Sequence, residues 1–467
     1  MHRFLISEAA KHIGEKVKVA GWVNTRRAHG KILFIDLRDR SGFLQVVFIP
    51  SNKEVYQLAE QLRPEWAVEI TGQIVKRPEK MVNAKIETGQ VELTVESLNV
   101  LSRAESLPFS IDDSGYDINE EIRMKYRYLD LRRERLKNNL IVRHRVIQFI
   151  RDFLAKEDFI EIETPILTKS TPEGARDYIV PSRQEPGKFY ALPQSPQQYK
   201  QLLMVAGLEK YFQIAKCLRD EDPRGDRQPE FTQLDIEMSF VEQEDILNLT
   251  ERLYTEIVKK ITPEKKILQI PFPRITYKEA MEKYNSDKPD LRKDKNDPNE
   301  LAFVFVIDFP AFEWKESEKR WDATHHPFTK PNVLNAEDFK KKFKEDAGAI
   351  FAEQYDLALN GFEIAGGSIR IHDSALLQSV FEAMGNKTED VIAKFGHMLD
   401  AFQYGVPPHG GIASGLDRVM AILENEPNIR EVIAFPKTGD GRDVMMDAPS
   451  DVTDDQLKEL HIKVREK

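Results

Sequence analysis

Apolar and polar residues alternate along most of the first hundred positions of the chain. Five runs follow the two-residue period of strands, and turn residues such as Gly separate them. These runs lie at residues 17–23, 31–39, 44–49, 67–75 and 91–101. One stretch after the third run, residues 52–62, has a helical period instead. Five short strands with one helix predict a barrel of the OB type, which commonly binds single-stranded nucleic acid.

The pattern then changes, and helices and strands are mixed along the rest of the chain. Residues 118–136 are densely charged and predict a helical linker, and residues 139–157 predict a long amphipathic helix. Residues 159–164 alternate as a strand and stop at Pro165. Residues 233–240 alternate so regularly that we expect a strand with one buried face. The prediction is an α+β protein with an N-terminal five-stranded barrel.

Composition adds only broad limits. The chain has 467 residues, enough for two or three domains, with 41% hydrophobic and 31% charged residues. No apolar run approaches the roughly 18 residues that a membrane span needs, and the N-terminus has no signal-peptide pattern. The single cysteine, Cys217, excludes an internal disulfide. We therefore expect a cytoplasmic protein that is not bound to a membrane.

Charge is distributed unevenly. The net charge of -10 argues against a generally basic nucleic-acid binder, yet residues 1–103 contain more Lys and Arg than Asp and Glu. A mildly basic module on an acidic body suits a polynucleotide that is held at one end.

The first candidate site is the charged loop between two strand-like runs at residues 212–240. Arg219, Arg224 and Arg227 lie there among several acidic residues. Guanidinium groups bind phosphate oxygens in pairs, and carboxylates bind Mg²⁺, so the loop suits a polyanion held with a metal ion. A solvated, salt-bridged hairpin tip is the alternative.

The amino-acid sequence of that loop resembles a known family. Residues 219–221 (RDE) and 227–233 (RQPEFTQ) are similar to motif 2 of class II aminoacyl-tRNA synthetases, in particular of the aspartyl members of bacterial type. The helix and strand before Pro165 resemble motif 1, and residues 407–437, with GLDR at 415–418, resemble motif 3. The resemblance covers nearly the whole chain, except that a short charged linker near 286–300 replaces a large insertion domain.

The resemblance implies a domain plan. Residues 1–103 correspond to an OB-type anticodon-binding domain, 104–138 to a linker or hinge, and 139–467 to a class II catalytic domain with an antiparallel sheet flanked by helices. It also implies a homodimer formed through motif 1.

The ATP and metal positions follow from the same resemblance. Catalysis is expected from Arg219 and Arg418, with ATP and Mg²⁺ as cofactors. The family's ATP contacts fall on Arg219, Asp220, Glu221, Gln228, Phe231, Glu363, Gly415, Leu416, Asp417 and Arg418. Its metal-binding acids fall on Asp356 and Glu363.

The amino-acid pocket is implied in the same way. Its positions are Glu173, Ser195, Gln197, Lys200, Arg219, Asp235, His325, His326 and Arg370. Glu363 and Arg370 are seven residues apart, so a flat strand would place them on opposite faces. We therefore predict a β-bulge at Gly366–Gly367 that restores a common face.

The barrel carries the expected tRNA contacts. The resemblance assigns anticodon contacts to Arg27, Phe34, Gln45 and Glu92. Phe34 and Phe48 can stack on bases or fill the core. Two positions bear on tRNA choice: His29, followed by Gly30, is typical of enzymes that charge both tRNA-Asp and tRNA-Asn, whereas Lys80 is typical of strict ones.

The resemblance implies ATP-dependent ligation of L-aspartate to tRNA-Asp through an aspartyl-adenylate, with tRNA-Asn as a second substrate. Charging of both tRNAs implies an amidotransferase partner. A strictly tRNA-Asp-specific enzyme is the alternative. An asparaginyl or lysyl relative, a non-catalytic paralogue and a pure nucleic-acid-binding protein are less favoured, because both motif arginines and the Lys200–Arg370 pair are present.

Overall fold

The computed structural model of the protein describes residues 3–170, 174–221, 226–317 and 319–465. The chain divides into two compact units, Met1–Ser110 and Ile111–Lys467. In the described ranges no helix has the length and apolar character needed to cross a membrane.

The first unit is a closed five-stranded barrel, as the alternating runs predict. Its strands pair in the order β1-β2-β3-β5-β4, and only the β3–β5 pair is parallel. The elements are β1 Lys16–His29, β2 Ile32–Asp39, β3 Gly42–Phe48, α1 Lys53–Gln61, β4 Ala67–Lys76 and β5 Val91–Ser102. Leu33, Ile35 and Leu37 alternate into the core, so Phe34 lies half-buried on the outer face. Phe48 is buried in the core, which excludes it from base stacking.

The second unit has an eight-stranded sheet in the order β12-β14-β17-β18-β19-β10-β9-β6. The central pairs are antiparallel, and the two edge pairs, β12–β14 and β6–β9, are parallel. The sheet strands are β6 Ile160–Glu161, β9 Lys210–Leu218, β10 Glu230–Ser239, β12 Arg274–Thr276, β14 Phe303–Pro310, β17 Phe351–Leu359, β18 Phe362–Ile369 and β19 His409–Gly415. Three short two-stranded ribbons are formed by β7 Ile179–Pro181 with β8 Phe189–Ala191, β11 Lys266–Ile267 with β13 Glu300–Leu301, and β15 Phe312–Lys315 with β16 Arg320–Ala323.

Helices flank this sheet. They are α2 Glu120–Lys125, α3 Arg127–Asp130, α4 Glu134–Lys156, α5 Gln197–Val205, α6 Gln243–Ile261, α7 Tyr277–Tyr284, α8 Ala336–Asp346, α9 Ser374–Ala383, α10 Thr388–Phe402, α11 Leu416–Leu423 and α12 Asp454–Glu459. The apolar stripes of α4, α6 and α11 pack with Leu234, Ile236 and Ile412 of the sheet in the largest hydrophobic cluster. This packing leaves the other sheet face for polar side chains.

The predicted linker differs from the structure in two ways. Residues 118–136 form two short helices, α2 and α3, and the long helix begins at Glu134 rather than near residue 139. Four of the charges there are buried together, because Arg123, Arg127 and Arg133 all donate to the fully buried carboxylate of Asp130. They hold short turns together instead of lining one solvated helix face.

The strand predicted at residues 159–164 is also shorter than expected. Only Ile160 and Glu161 pair, in parallel with β9, and one further N–H, that of Ile162, donates to Phe212 O at 3.1 Å. The predicted alternation of β10 is present, but both of its faces are buried. Its apolar side faces the helices, and its polar side lies in the candidate site described next.

Candidate active site

The polar face of the central strands forms the floor of the site. Register aligns Asp356 of β17 with Gly366 of β18, Gly366 with Ala413 of β19, and Ala413 with Asp235 of β10. Glu237 follows Asp235 by two residues and Arg370 follows Gly366 by four, so both lie on this same face. Antiparallel pairing therefore brings together residues that are more than a hundred positions apart in the chain.

Glycine on β19 creates the space for buried charges. A Cβ built on Gly411 would lie 2.1 Å from Glu237 Oε2 and 2.1 Å from Ile236 O. Side chains cannot approach that closely, so the Glu237 carboxylate occupies its position only because residue 411 has none.

The bulge that aligns Glu363 with Arg370 lies elsewhere than predicted. The strand is regular through Gly366 and Gly367, and the register shift falls opposite Leu357 and Ala358, where Ile364 is the extra residue. The prediction of a bulge at the two glycines is therefore wrong, although a bulge does lie between Glu363 and Arg370. The bulge turns Glu363 to the face of Gly366 and Arg370.

Four charged side chains form a buried cluster on this floor. Lys200 of α5 lies 2.9 Å from Asp235 Oδ1 and 3.2 Å from Glu237 Oε2. Arg370 Nε and Nη2 donate to Glu237 Oε1 and Oε2 at 3.0 and 3.1 Å, and Nη1 donates to Ser368 Oγ at 2.6 Å. Each of the four is at most 4% exposed. Two cations thus balance two carboxylates away from water.

The cluster shifts the acidities of its members. Burial alone would raise the pKa of Glu237, but Arg370 and Lys200 outweigh it and lower that pKa to about 2. Burial raises the pKa of Asp235 despite its contact with Lys200. The pKa of His326 falls to about 3 because its ring is buried and faces the charges of Arg370 and Lys200. Glu237 is therefore ionised and His326 neutral near neutral pH.

Some of the other predicted pocket residues lie near this cluster, and others do not. Gln197 is on the same helix face as Lys200, and His326 Nδ1 is buried with no hydrogen-bond partner in the described part of the chain. The adjacent His325 points elsewhere, with its ring 4.8 Å from that of Phe309. Ser195 lines a separate cavity beside α5. Glu173 lies outside the described residues.

A second part of the site is a cavity of about 210 Å³ next to the charge cluster. Arg219, Phe231, Glu363, Gly415 and Arg418 are among its lining residues. The guanidinium of Arg219 lies 5.0 Å from the centre of the Phe231 ring. Within the described ranges, the Nε atoms of Arg219 and Arg418 are buried without a hydrogen-bond acceptor. Buried donors of this kind need acceptors, and the oxygens of a phosphate chain would supply them.

Other residues of the predicted nucleotide site have defined contacts. Gln228 exchanges two hydrogen bonds with the backbone of Lys437, at 3.1 and 2.7 Å. Glu221 pairs with Arg227 at 2.8 Å, and Arg418 pairs with Asp226 at 3.2 Å.

Three further residues of the predicted nucleotide site also have defined contacts, and one of them, Asp417, lines the cavity. Both carboxylate oxygens of Asp417 are engaged, by Arg143 at 2.5 Å and by the N–H of Thr232 at 2.9 Å. The side chain of Leu416 is in the hydrophobic core, so only its backbone is near the cavity. Asp220 contacts Arg176 through its backbone.

Asp356 and Glu363 lie on either side of Gly366. A Cβ built on this glycine would be 2.9 Å from Asp356 Oδ1 and 3.6 Å from Glu363 Oε1. Gln354 Nε2 donates to Asp356 Oδ1 at 2.9 Å. Burial and the neighbouring Glu363 carboxylate hold the pKa of Asp356 well above its ordinary value. A cation between the two groups would reverse that shift.

The barrel has its own polar patch on the outer face. Gln45 Nε2 donates to Glu92 Oε2 at 2.7 Å, and Arg27 Nη2 donates to Gln45 Oε1 at 3.1 Å, beside Phe34. The predicted anticodon residues are therefore neighbours. His29 is exposed at the end of β1, and Lys80 is exposed after β4.

Four residues of the site were not predicted from the sequence: Gln201, Glu237, Ser368 and His409. All are buried and polar. Glu237 and Ser368 have a detectable signal, since each is two residues from a predicted site residue on the same strand face. No signal in the sequence identifies Gln201 or His409, because their contacts join elements that are distant in the chain.

Comparisons with known proteins identify the family and the fold. Residues 119–439 match the family described as tRNA synthetases class II (D, K and N), and residues 17–101 match an OB-fold nucleic acid binding domain. Among solved structures, asparaginyl-tRNA synthetase from Pyrococcus horikoshii with asparaginyl-adenylate aligns with TM-score 0.75 at 23% identity, covering 94% of this chain and 98% of that one. An aspartyl-tRNA synthetase structure from Entamoeba histolytica has TM-score 0.72 at 24% identity, covering 93% of this chain and 91% of that chain. These likenesses establish the fold of a class II aminoacyl-tRNA synthetase.

The sequence relatives are more specific. A protein of Rubrobacter xylanophilus named Aspartate--tRNA(Asp/Asn) ligase is 44% identical, covering 97% of this chain and 95% of its own length. One of the same name from Caldanaerobacter subterraneus is 42% identical, covering 97% and 96%. The chain therefore belongs to the aspartate–tRNA ligase family of class II synthetases. Both alignments extend over 578 positions, more than the chain has residues, as expected when an insertion is missing.

The charge cluster predicts how stability depends on pH. Glu237→Gln removes a buried charge and leaves Arg370 and Lys200 undercompensated, so we expect a loss of about 3–5 kcal/mol in the free energy of unfolding at pH 7. Because the folded pKa of Glu237 is depressed from 4.5 to about 2, its contribution is complete above pH 4.5 and disappears as the pH falls toward 2. Urea denaturation of both proteins at several pH values measures this difference.

Glu459→Gln is the control, since this carboxylate is exposed on α12. It should change the free energy of unfolding by less than about 0.5 kcal/mol. If Glu237→Gln unfolds with the free energy of the original protein at pH 7, the cluster does not have the assigned role.

Proposed function

We propose that this protein activates L-aspartate with ATP and transfers it to tRNA-Asp and tRNA-Asn. The main support is the buried pair of cations, Lys200 and Arg370, beside a cavity that contains two guanidinium groups whose Nε–H donors have no acceptor among the residues that the structure describes. The buried cations suit a small dicarboxylic amino acid, and the neighbouring cavity suits a nucleotide. The protein would act in the cytoplasm, where its tRNA substrates are.

The proposed reaction has two steps. The α-carboxylate of aspartate attacks the α-phosphorus of ATP, forming the mixed anhydride aspartyl-adenylate and releasing pyrophosphate. A ribose hydroxyl of the terminal adenosine of the tRNA then attacks the activated carbonyl, forming the ester and releasing AMP. No covalent bond to the protein is formed, so positioning and charge stabilisation account for the rate.

The nucleotide-side residues have distinct proposed roles. Arg219 holds the α-phosphate against the attacking carboxylate, and Arg418 holds the outer phosphates after exchanging its contact with Asp226 for them. Phe231 offers a flat surface for adenine. Gln228 and Glu221 complete the nucleotide site, and Gln228 is already fixed by the backbone of Lys437.

Recognition of aspartate rests on the charge cluster. Glu237 occupies the Nε–Nη2 edge of Arg370, which leaves Nη1 with a second N–H to offer to the substrate side chain. Lys200 supplies the second cation. Asparagine would bring no charge to these cations and would lose the corresponding attraction. Gln197, Asp235, His326 and Glu173 are proposed to surround the rest of the amino acid, whereas Ser195 lines the separate cavity beside α5 and the ring of His325 packs on Phe309.

Asp356 and Glu363 are proposed to hold Mg²⁺. The two carboxylates flank a glycine that leaves space between them, and burial together with the neighbouring Glu363 carboxylate raises the pKa of Asp356. Hard oxygen ligands of this type suit Mg²⁺. When bound, the ion would supply charge neutralisation for the phosphates.

Transfer to both tRNAs is the finer part of the proposal. The relatives from Rubrobacter and Caldanaerobacter are both named for tRNA(Asp/Asn), which favours the signal from His29 over that from Lys80. Arg27, Phe34, Gln45 and Glu92 form the proposed anticodon surface. Aspartate on tRNA-Asn must be amidated before use, so an amidotransferase partner is part of the proposal. A strictly tRNA-Asp-specific enzyme is the second candidate, and Lys80 favours it.

A homodimer is proposed on the surface next to residues 160–170. Ile166, Leu167, Phe189 and Tyr190 are each 43–53% exposed there. Leu167, Phe189 and Tyr190 line a cavity of about 430 Å³ together with Gln198. The Nε2 atom of Gln198 is buried and has no acceptor in the described part of the chain. An apolar surface with an unsatisfied donor suits coverage by a second copy of the chain.

The charging assay tests the function. With ATP and labelled aspartate, we expect the purified protein to esterify tRNA-Asp and tRNA-Asn, because the relatives are named for both. Acid-precipitable label on each purified tRNA is the measurement, and tRNA-Lys is the negative control. Label on tRNA-Asp alone would overturn the relaxed specificity, and label on neither would overturn the proposed function.

The dimer has a separate test. Leu167→Asp places a charge in the apolar surface and should convert a particle of twice the chain mass into one of a single chain mass, measured by light scattering. Leu334→Asp is the matched control, since Leu334 is 89% exposed in another part of the same unit. A single-chain mass for the unmodified protein at micromolar concentration would contradict the dimer.

A further inference from the structure

Three buried side chains form a hydrogen-bonded relay beneath the amino-acid pocket. Gln197 Nε2 donates to Gln201 Oε1 at 3.1 Å, Gln201 Nε2 lies 3.1 Å from His409 Nε2, and His409 Nδ1 lies 2.8 Å from Pro407 O. Gln197 is 5% exposed, and Gln201 and His409 are fully buried. The relay connects the first turns of α5 to the start of β19.

The direction of the relay follows from its last member. A backbone carbonyl only accepts, so the Nδ1 atom of His409 must carry the hydrogen that faces Pro407 O. A neutral imidazole has one N–H, and Nε2 is then an acceptor. Gln201 must therefore present its NH₂ group to His409 and its carbonyl to Gln197, which in turn must donate from its own NH₂ group.

The relay therefore uses the NH₂ group of Gln197 and does not use its carbonyl oxygen. We propose that Gln201 and His409 are positioning residues that fix Gln197 with this oxygen toward the α-ammonium group of the substrate. Reversal of the amide would turn N–H donors toward a cation. The proposal rests on the function proposed above, in which Gln197 contacts the amino acid.

The surroundings of His409 keep its imidazole neutral. Glu237 on β10 favours the charged form, whereas Arg370 and His372 after β18 oppose it, and α5 and α10 contribute Gln201 and the ring of Phe402. Burial is the largest effect and lowers the pKa of His409. The imidazole therefore has a single hydrogen, as the relay requires.

Gln201→Met tests the relay, because methionine keeps the length of the side chain but cannot pass on a hydrogen bond. Pyrophosphate exchange should show a KM for aspartate raised about tenfold or more, since a hydrogen bond to a charged group is lost. The KM for ATP and the kcat should change less than about twofold, because uniform binding of the amino acid is what is removed.

Thr250→Val is the matched control. Thr250 is buried on α6 and donates to Ile246 O at 2.8 Å, so this variant also loses a buried hydrogen bond, away from the pocket. It should leave the KM for aspartate unchanged. An unchanged KM for aspartate in Gln201→Met would overturn the proposal.

Gln201→Glu gives a readout that a merely structural residue would not produce. A carboxylate at 201 still accepts from Gln197, but it requires a hydrogen on His409 Nε2, and hence an imidazolium. The relay should then be intact below the raised pKa of His409 in the variant and lost above it. The ratio of the variant KM for aspartate to that of the original protein should rise about tenfold with increasing pH.

A ratio that is independent of pH would contradict the assigned direction of the relay. Failure of the underlying function is distinguishable, because the original protein would then show no aspartate-dependent exchange at all. If the original protein shows exchange and the variants have the same KM for aspartate as the original protein, only the relay proposal is overturned.

Discussion

Four charged side chains buried on one face of a sheet govern the arrangement of the second unit. Lys200, Asp235, Glu237 and Arg370 come from three separate parts of the chain, and each would be very costly to bury alone. They are stable only together, which fixes α5 against β10 and β10 against β18 through β19. The requirement to pair these charges determines which residues can form the floor of the site.

This constraint explains features that are otherwise unconnected. Gly411 is required because the Glu237 carboxylate fills the space of its missing side chain. The bulge at Ile364 brings Glu363 to the same face as Arg370. Leu234, Ile236 and Met238 of β10 are directed to the other face, where α4, α6 and α11 cover them. A barrel with its own polar patch precedes this unit in the chain.

Alternation and motif spacing were sufficient to predict the barrel, the hairpin of β9 and β10 and the polar and apolar sides of β10. They failed where a tertiary contact decides the outcome. Residues 118–136 form separate turns because Asp130 collects three arginines, which no local pattern reveals. The bulge position depends on pairing with β17 and β19, and the relay from Gln197 to His409 joins residues more than two hundred positions apart.

The central claim is that the buried cations select an amino acid with a negatively charged side chain. Pyrophosphate exchange with ATP, comparing L-aspartate with L-asparagine over a range of concentrations, tests it most directly. The claim predicts a kcat/KM for aspartate that exceeds the value for asparagine by at least about a hundredfold, since several kcal/mol of charge pairing are at stake. Comparable values for the two amino acids would show that the Lys200–Arg370 cluster does not read the side-chain charge.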